Sequence, residues 1–78
     1  MNVINNETAK YIYGKMKYYN LPINNEIASY LSEIANEYMI SKSKIIKVIE
    51  RASIIYEHNK NFNYLNYIEF ELIKVGKN

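Results

Sequence analysis

"YYNLPI", residues 18–23, decides which of two folds the chain takes. Tyr19, Leu21 and Ile23 alternate with Tyr18, Asn20 and Pro22, the two-residue period of a short strand. Proline restricts such a strand to an edge or a terminus, and the same six residues suit a plain loop. Read as a strand, the segment pairs with a second copy of itself. Read as a loop, it joins two helices and leaves a small all-α bundle.

The sequence on both sides is helical in pattern. Upstream, Ala9, Ile12, Tyr13 and Met16 share one face from Asn6 to about Lys17, with Asn5 or Asn6 as the cap. Gly14 weakens that helix by about 1 kcal/mol. Downstream, Asn24 or Asn25 caps "EIASYLSEIANEYM" (26–39), where Ile27, Tyr30, Leu31, Ile34, Ala35 and Tyr38 recur at three- and four-residue steps. Ser41 caps a third helix reaching about Glu57, with Ile45, Val48, Ile49, Ala52, Ile55 and Tyr56 in one stripe. Lys44, Lys47 and Arg51 fall in a narrow sector at its edge. Ile46 and Ile54 lie on other faces, so this helix is apolar nearly all round, as at the centre of a dimer. The tail "NYLNYIEFELIKVGK" (63–77) fits a helix through Leu65, Ile68, Leu72 and Val75, or a strand through Ile68, Phe70 and Leu72; the helix is preferred.

A chain of 78 residues is one domain at most, near the size where a lone hydrophobic core becomes marginal. With no cysteine and no His/Cys cluster, neither a disulfide nor a structural metal can staple it. Helix packing or oligomerisation must serve instead, and nearly half the residues are hydrophobic, so a homodimer is expected. A net charge of +2 is mildly basic, far from a polycationic nucleic-acid coat. The apolar runs are too short to span a membrane, and "MNVINNETAK" lacks the layout of a signal peptide, so the cytoplasm is expected. Ile, Asn, Lys and Tyr dominate and Asp is absent. AT-rich codons account for that bias, so the nine tyrosines carry little weight on their own.

Catalytic patterns are missing. His58 has no second histidine, cysteine or aspartate to join as a metal ligand or catalytic pair, and Glu33 and Glu37 read as a solvated face. No Gly-rich phosphate loop or nucleophile motif occurs, so neither enzymatic activity nor a cofactor is expected.

Taken as a strand, a capped helix, a turn and a serine-capped helix, residues 18–56 resemble the ribbon-helix-helix DNA-binding domains of phage, plasmid and antitoxin repressors. The resemblance rests on "LPINNEIASYLSEIANEYMISKSKII" (21–46), above all the pattern around Leu31, Ile34 and Ala35 and the start of the second helix from Ile40 to Ile46. It implies a mainly α domain whose one short strand forms an intersubunit ribbon, flanked by helical extensions at 1–17 and 60–78. It further implies base contacts from Tyr18 and Asn20, and phosphate contacts from Ser41, Lys42, Ser43, Lys44 and Lys47. Tyr19, Leu21, Ile23, Ile45, Val48, Ile49 and Ala52 would form the dimer core. Four features depart from the family pattern: Met39 stands where the turn usually has Gly, two extra residues separate Leu21 from Ser41, Lys17 would fall on the inward face, and Glu50 stands at a usually apolar position. Residues 33–52 also resemble a helix-turn-helix, with Ala35, Ile40, Ile45 and Val48 at its apolar positions. That motif too expects Gly at Met39, and a shorter first helix.

The expected function is that of a homodimeric, sequence-specific regulator of transcription, a repressor, bound to double-stranded DNA. The competing expectation is a phage- or plasmid-encoded interaction module that inhibits a host protein without binding DNA. A protein antagonist fits either. Strand and charge layout discriminate between them: without the strand, the interaction module leads.

Overall fold

The computed structural model describes residues 6–77, so Asn5, one of the two cap candidates, lies outside the described residues. Four helices follow in order: α1 (Glu7–Tyr18), α2 (Asn25–Glu37), α3 (Lys42–His58) and α4 (Tyr64–Lys77). Each starts at a side chain able to take up the unpaired N–H groups of a first turn. Asn6 Oδ1 accepts from the N–H of Thr8 at 2.8 Å and of Ala9 at 3.2 Å. Asn24 Oδ1 accepts from Ile27 N–H at 2.8 Å, and Asn63 Oδ1 from Asn66 N–H at 3.1 Å. Ser41 Oγ accepts from Lys44 N–H at 3.4 Å, a longer and weaker bond.

Residues 18–23 are not a strand, and no strand occurs among the described residues. α1 runs through Tyr18, Tyr19 is its C-cap, and Asn20 turns left-handed at φ 63°. The N–H of Leu21 then donates to Met16 C=O at 2.8 Å and that of Asn20 to Lys17 C=O at 3.0 Å. This bond pair closes a helix whose next residue folds back onto its last turn. Leu21 is that residue, and it is buried in the core. The alternation of Tyr19, Leu21 and Ile23 thus comes from a helix end, a cap and a loop. An intersubunit ribbon is ruled out, and the fold is the all-α bundle. The tail is helical, as preferred.

α1 packs against α2 and α3, and α4 packs against the same two. The helices therefore close a ring in the order α1, α2, α4, α3. Tyr11 reaches Lys42 and Tyr19 reaches Glu50, so α1 and α3 run side by side in one direction. Tyr64 reaches Pro22 and Tyr30 reaches Glu69, which gives α2 and α4 the same relation on the opposite side. Ile12, Met16, Leu31, Ile45, Ile49, Ile68 and Leu72 are all but fully buried between them. The one buried polar side chain among the described residues, Ser32, is satisfied: its Oγ donates to Ser29 C=O at 2.7 Å and accepts from Asn6 Nδ2 at 3.2 Å.

A candidate nucleic-acid interface on α1 and α3

The turn between α2 and α3 repeats the closure that ends α1. Met39 is left-handed at φ 54°, its N–H donates to Asn36 C=O at 3.2 Å, and Ile40 N–H donates to Ala35 C=O at 2.9 Å. Sequence reasoning took Met39 as a departure because glycine is expected there. The backbone nevertheless takes the conformation that glycine would favour, with the Met39 side chain 89% exposed. Ile34, Ala35, Ile45 and Val48 are buried around the turn, and Ile40 packs against the same core. α2, at 13 residues, is longer than the first helix of the motif these positions resemble.

The expected phosphate contacts lie together at the start of α3. Ser41 and Ser43 share a hydrogen bond at 3.1 Å between their hydroxyls. Lys42 Nζ lies 3.9 Å from the Glu7 carboxylate and 5.3 Å from the Tyr11 ring centroid, which ties it to α1. Lys44, Lys47 and Arg51 line a groove of about 320 Å³ against Glu71 and Val75 of α4. All three are exposed. None makes an ion pair among the described residues. Ser43, Lys47 and Ile54 point opposite the buried stripe of Ile45, Ile49 and Ala52, and Ile54 is exposed despite being apolar.

The expected base contacts lie elsewhere. Tyr18 and Asn20 are exposed at the end of α1, where with Tyr19 they line a polar groove against Ser53, Tyr56, Glu57 and Lys60. That groove flanks the far end of α3, so the structure separates these two residues from the Ser41–Lys47 group. Of the expected dimer core, Leu21, Ile45, Val48, Ile49 and Ala52 are buried within this one chain, and Tyr19 and Ile23 pack against them. Glu50, the misplaced carboxylate, accepts a 2.5 Å hydrogen bond from the Tyr19 hydroxyl. That bond, to an anion that disfavours phenolate, pushes the Tyr19 hydroxyl up to about 12.

The feature that sequence reasoning missed is the charge layout of the ring. α1 and α3 together carry seven Lys or Arg and three Glu, whereas α2 and α4 carry two Lys and five Glu. Lys60, in the last loop, completes the count. A net charge of +2 therefore conceals a net +4 on the adjacent helices α1 and α3 and a net −3 on α2 and α4, with Glu71 of α4 meeting the cations of α3 at their shared groove. Lys10, Lys15 and Lys17 of α1, given no role in the sequence analysis, belong to the positive side. Charge counted helix by helix is the signal that could have shown this.

Among the described residues no helix is long and apolar enough to cross a membrane. No protein-family model, curated protein or solved structure matches the chain.

Proposed function

We propose that the chain is a double-stranded-DNA-binding regulator that presents α3, the second helix of a helix-turn-helix, to the major groove. The observation carrying this reading is the separation of charge: the adjacent helices α1 and α3 hold seven cations against three glutamates in a chain whose total charge is only +2. Loss of the strand favours the interaction module, and the charge layout outweighs it. A positive face supplies the counterion-release term that dominates affinity for duplex DNA. α3, at 17 residues, is about 25 Å long, enough to follow a major groove about 12 Å wide.

Roles follow from direction. Lys44, Lys47 and Arg51 are placed for phosphates or for the acceptor edge of guanine, and Ser43 for either. Ile54 offers an apolar contact suited to a thymine methyl group. Repression, by occupying a promoter, is the simplest regulatory outcome of such a contact. A second copy would double the short contact that one α3 makes.

The test is selection from a random duplex library, followed by affinity measurements on the selected and on scrambled DNA at about 50 and 200 mM salt. We expect a preferred sequence and at least tenfold weakening at the higher salt. Lys47→Gln should weaken binding and lower the salt slope by about 1. Equal, weak binding to selected and scrambled duplexes would refute the proposal and leave the interaction module.

A further inference from the structure

The chain has only two glycines, in a composition whose codon bias disfavours them. Gly76 has a structural reason, because a Cβ there would overlap the Tyr38 side chain. Gly14 has none: it lies in the interior of α1, and a Cβ added to it meets nothing within 4 Å. An interior helical glycine destabilises a helix relative to alanine, and no contact among the described residues offsets that. At 100° per residue Gly14 points directly away from the buried Ala9, Ile12 and Met16. Its surface neighbours one turn away are Lys10, Tyr11, Lys17 and Tyr18. Lys15 lies 5.6 Å from the Tyr11 ring and 6.0 Å from the Tyr18 ring, and Lys17 lies 5.9 Å from the Tyr13 ring. The glycine is thus a gap in a collar of cations and aromatic rings.

We infer that this face of α1 is a second contact surface for duplex DNA, with a phosphate strand in closest approach over Gly14. The inference rests on the DNA-binding reading and extends it to a helix that reading does not need. Packed helices lie about 8–10 Å apart, so α3 in a groove about 12 Å wide sets the neighbouring α1 over the bordering phosphates. Lys10, Lys15 and Lys17 supply the charge, and the missing side chain supplies the room. A second copy of the chain is the other occupant a bare glycine could admit. Like charges oppose it, since the same cationic face would meet itself.

The test uses the full chain, a fluorescent duplex of about two helical turns and three variants: Gly14→Gln, Lys10→Gln and Lys17→Gln. Gly14→Gln should raise Tm, since glutamine is a better helix former, yet weaken duplex binding by roughly tenfold. Each lysine variant should lower the salt slope by about 1. A more stable Gly14→Gln variant with wild-type affinity overturns the inference. So does a wild-type dimer that Gly14→Gln converts to monomer in sedimentation, which would assign the face to a second copy. If Lys47→Gln weakens binding while all three α1 variants bind like wild type, only the α1 contact fails. If the wild-type chain does not bind the duplex, the DNA-binding reading fails with it.

Discussion

Met39 offers the most direct check on the turn that joins α2 to α3. Its φ of 54° places it in the left-handed region, where an L-residue bearing a Cβ pays about 1–2 kcal/mol. Its side chain is 89% exposed, so removing it forfeits almost no packing. Met39→Gly relieves the backbone strain but adds unfolded-state freedom worth about 0.5–1 kcal/mol, leaving a net gain near 0.5 kcal/mol. For a chain of this length that raises Tm by roughly 3 °C. Met39→Val acts in reverse, because a β-branched residue tolerates positive φ worst; a loss of about 1 kcal/mol or more should lower Tm by about 5 °C. Asn20→Gly, at φ 63°, is the internal control, and its gain should be smaller because asparagine visits this region readily. Thermal and urea unfolding followed by circular dichroism report all three, with an unchanged urea m-value confirming that the unfolding reaction is the same. If Met39→Gly and Met39→Val unfold together with wild type, the left-handed turn is wrong, and the helix-turn-helix reading loses its geometry.

Two further outcomes test other parts of the ring. Gly76→Ala should destabilise by about 1–3 kcal/mol, because its methyl group would overlap Tyr38 and force the end of α4 away from the α2 cap; unfolding at the wild-type urea midpoint would show that α4 does not dock there. Tyr19 should stay protonated beyond the ordinary phenol value of 10.0, up to about 12, because the Glu50 carboxylate accepts its hydrogen bond. A folded-state value above the unfolded one means stability that is full below pH 10 and is lost as pH rises toward 12. Wild type should therefore lose stability more steeply than Tyr19→Phe across that window, in urea titrations at stepped pH. Parallel profiles would refute the Tyr19–Glu50 contact.

What was legible in the sequence was local. The Asn6, Asn24 and Ser41 caps and the apolar spacing of α2 and α3 mark helix starts and faces because an N-cap and a 3.6-residue period act within a turn or two. Residues 18–23 misled for a physical reason. Leu21 is apolar because it folds back on the last turn of α1 into the core, and in a six-residue window that demand has the same spacing as a strand. Met39 misled in the opposite way: it lacks the residue type that signals a left-handed turn, while the flanking Ala35 and Ile40 impose the turn through their hydrogen bond. The candidate interface was illegible for a different reason. Lys10, Lys15 and Lys17 belong to it only because α1 lies beside α3, an adjacency set by tertiary packing. Each helix carries its own charge in its sequence, but neighbours decide whether charges gather or cancel. With α1 beside α3 the seven cations lie on adjacent helices; had α1 and α2 exchanged places, Glu26, Glu33 and Glu37 would lie beside α3 with the glutamates of α4 on its other flank, and largely neutralise it. The positive face is therefore a consequence of the packing order α1, α2, α4, α3, which a count of total charge averages away.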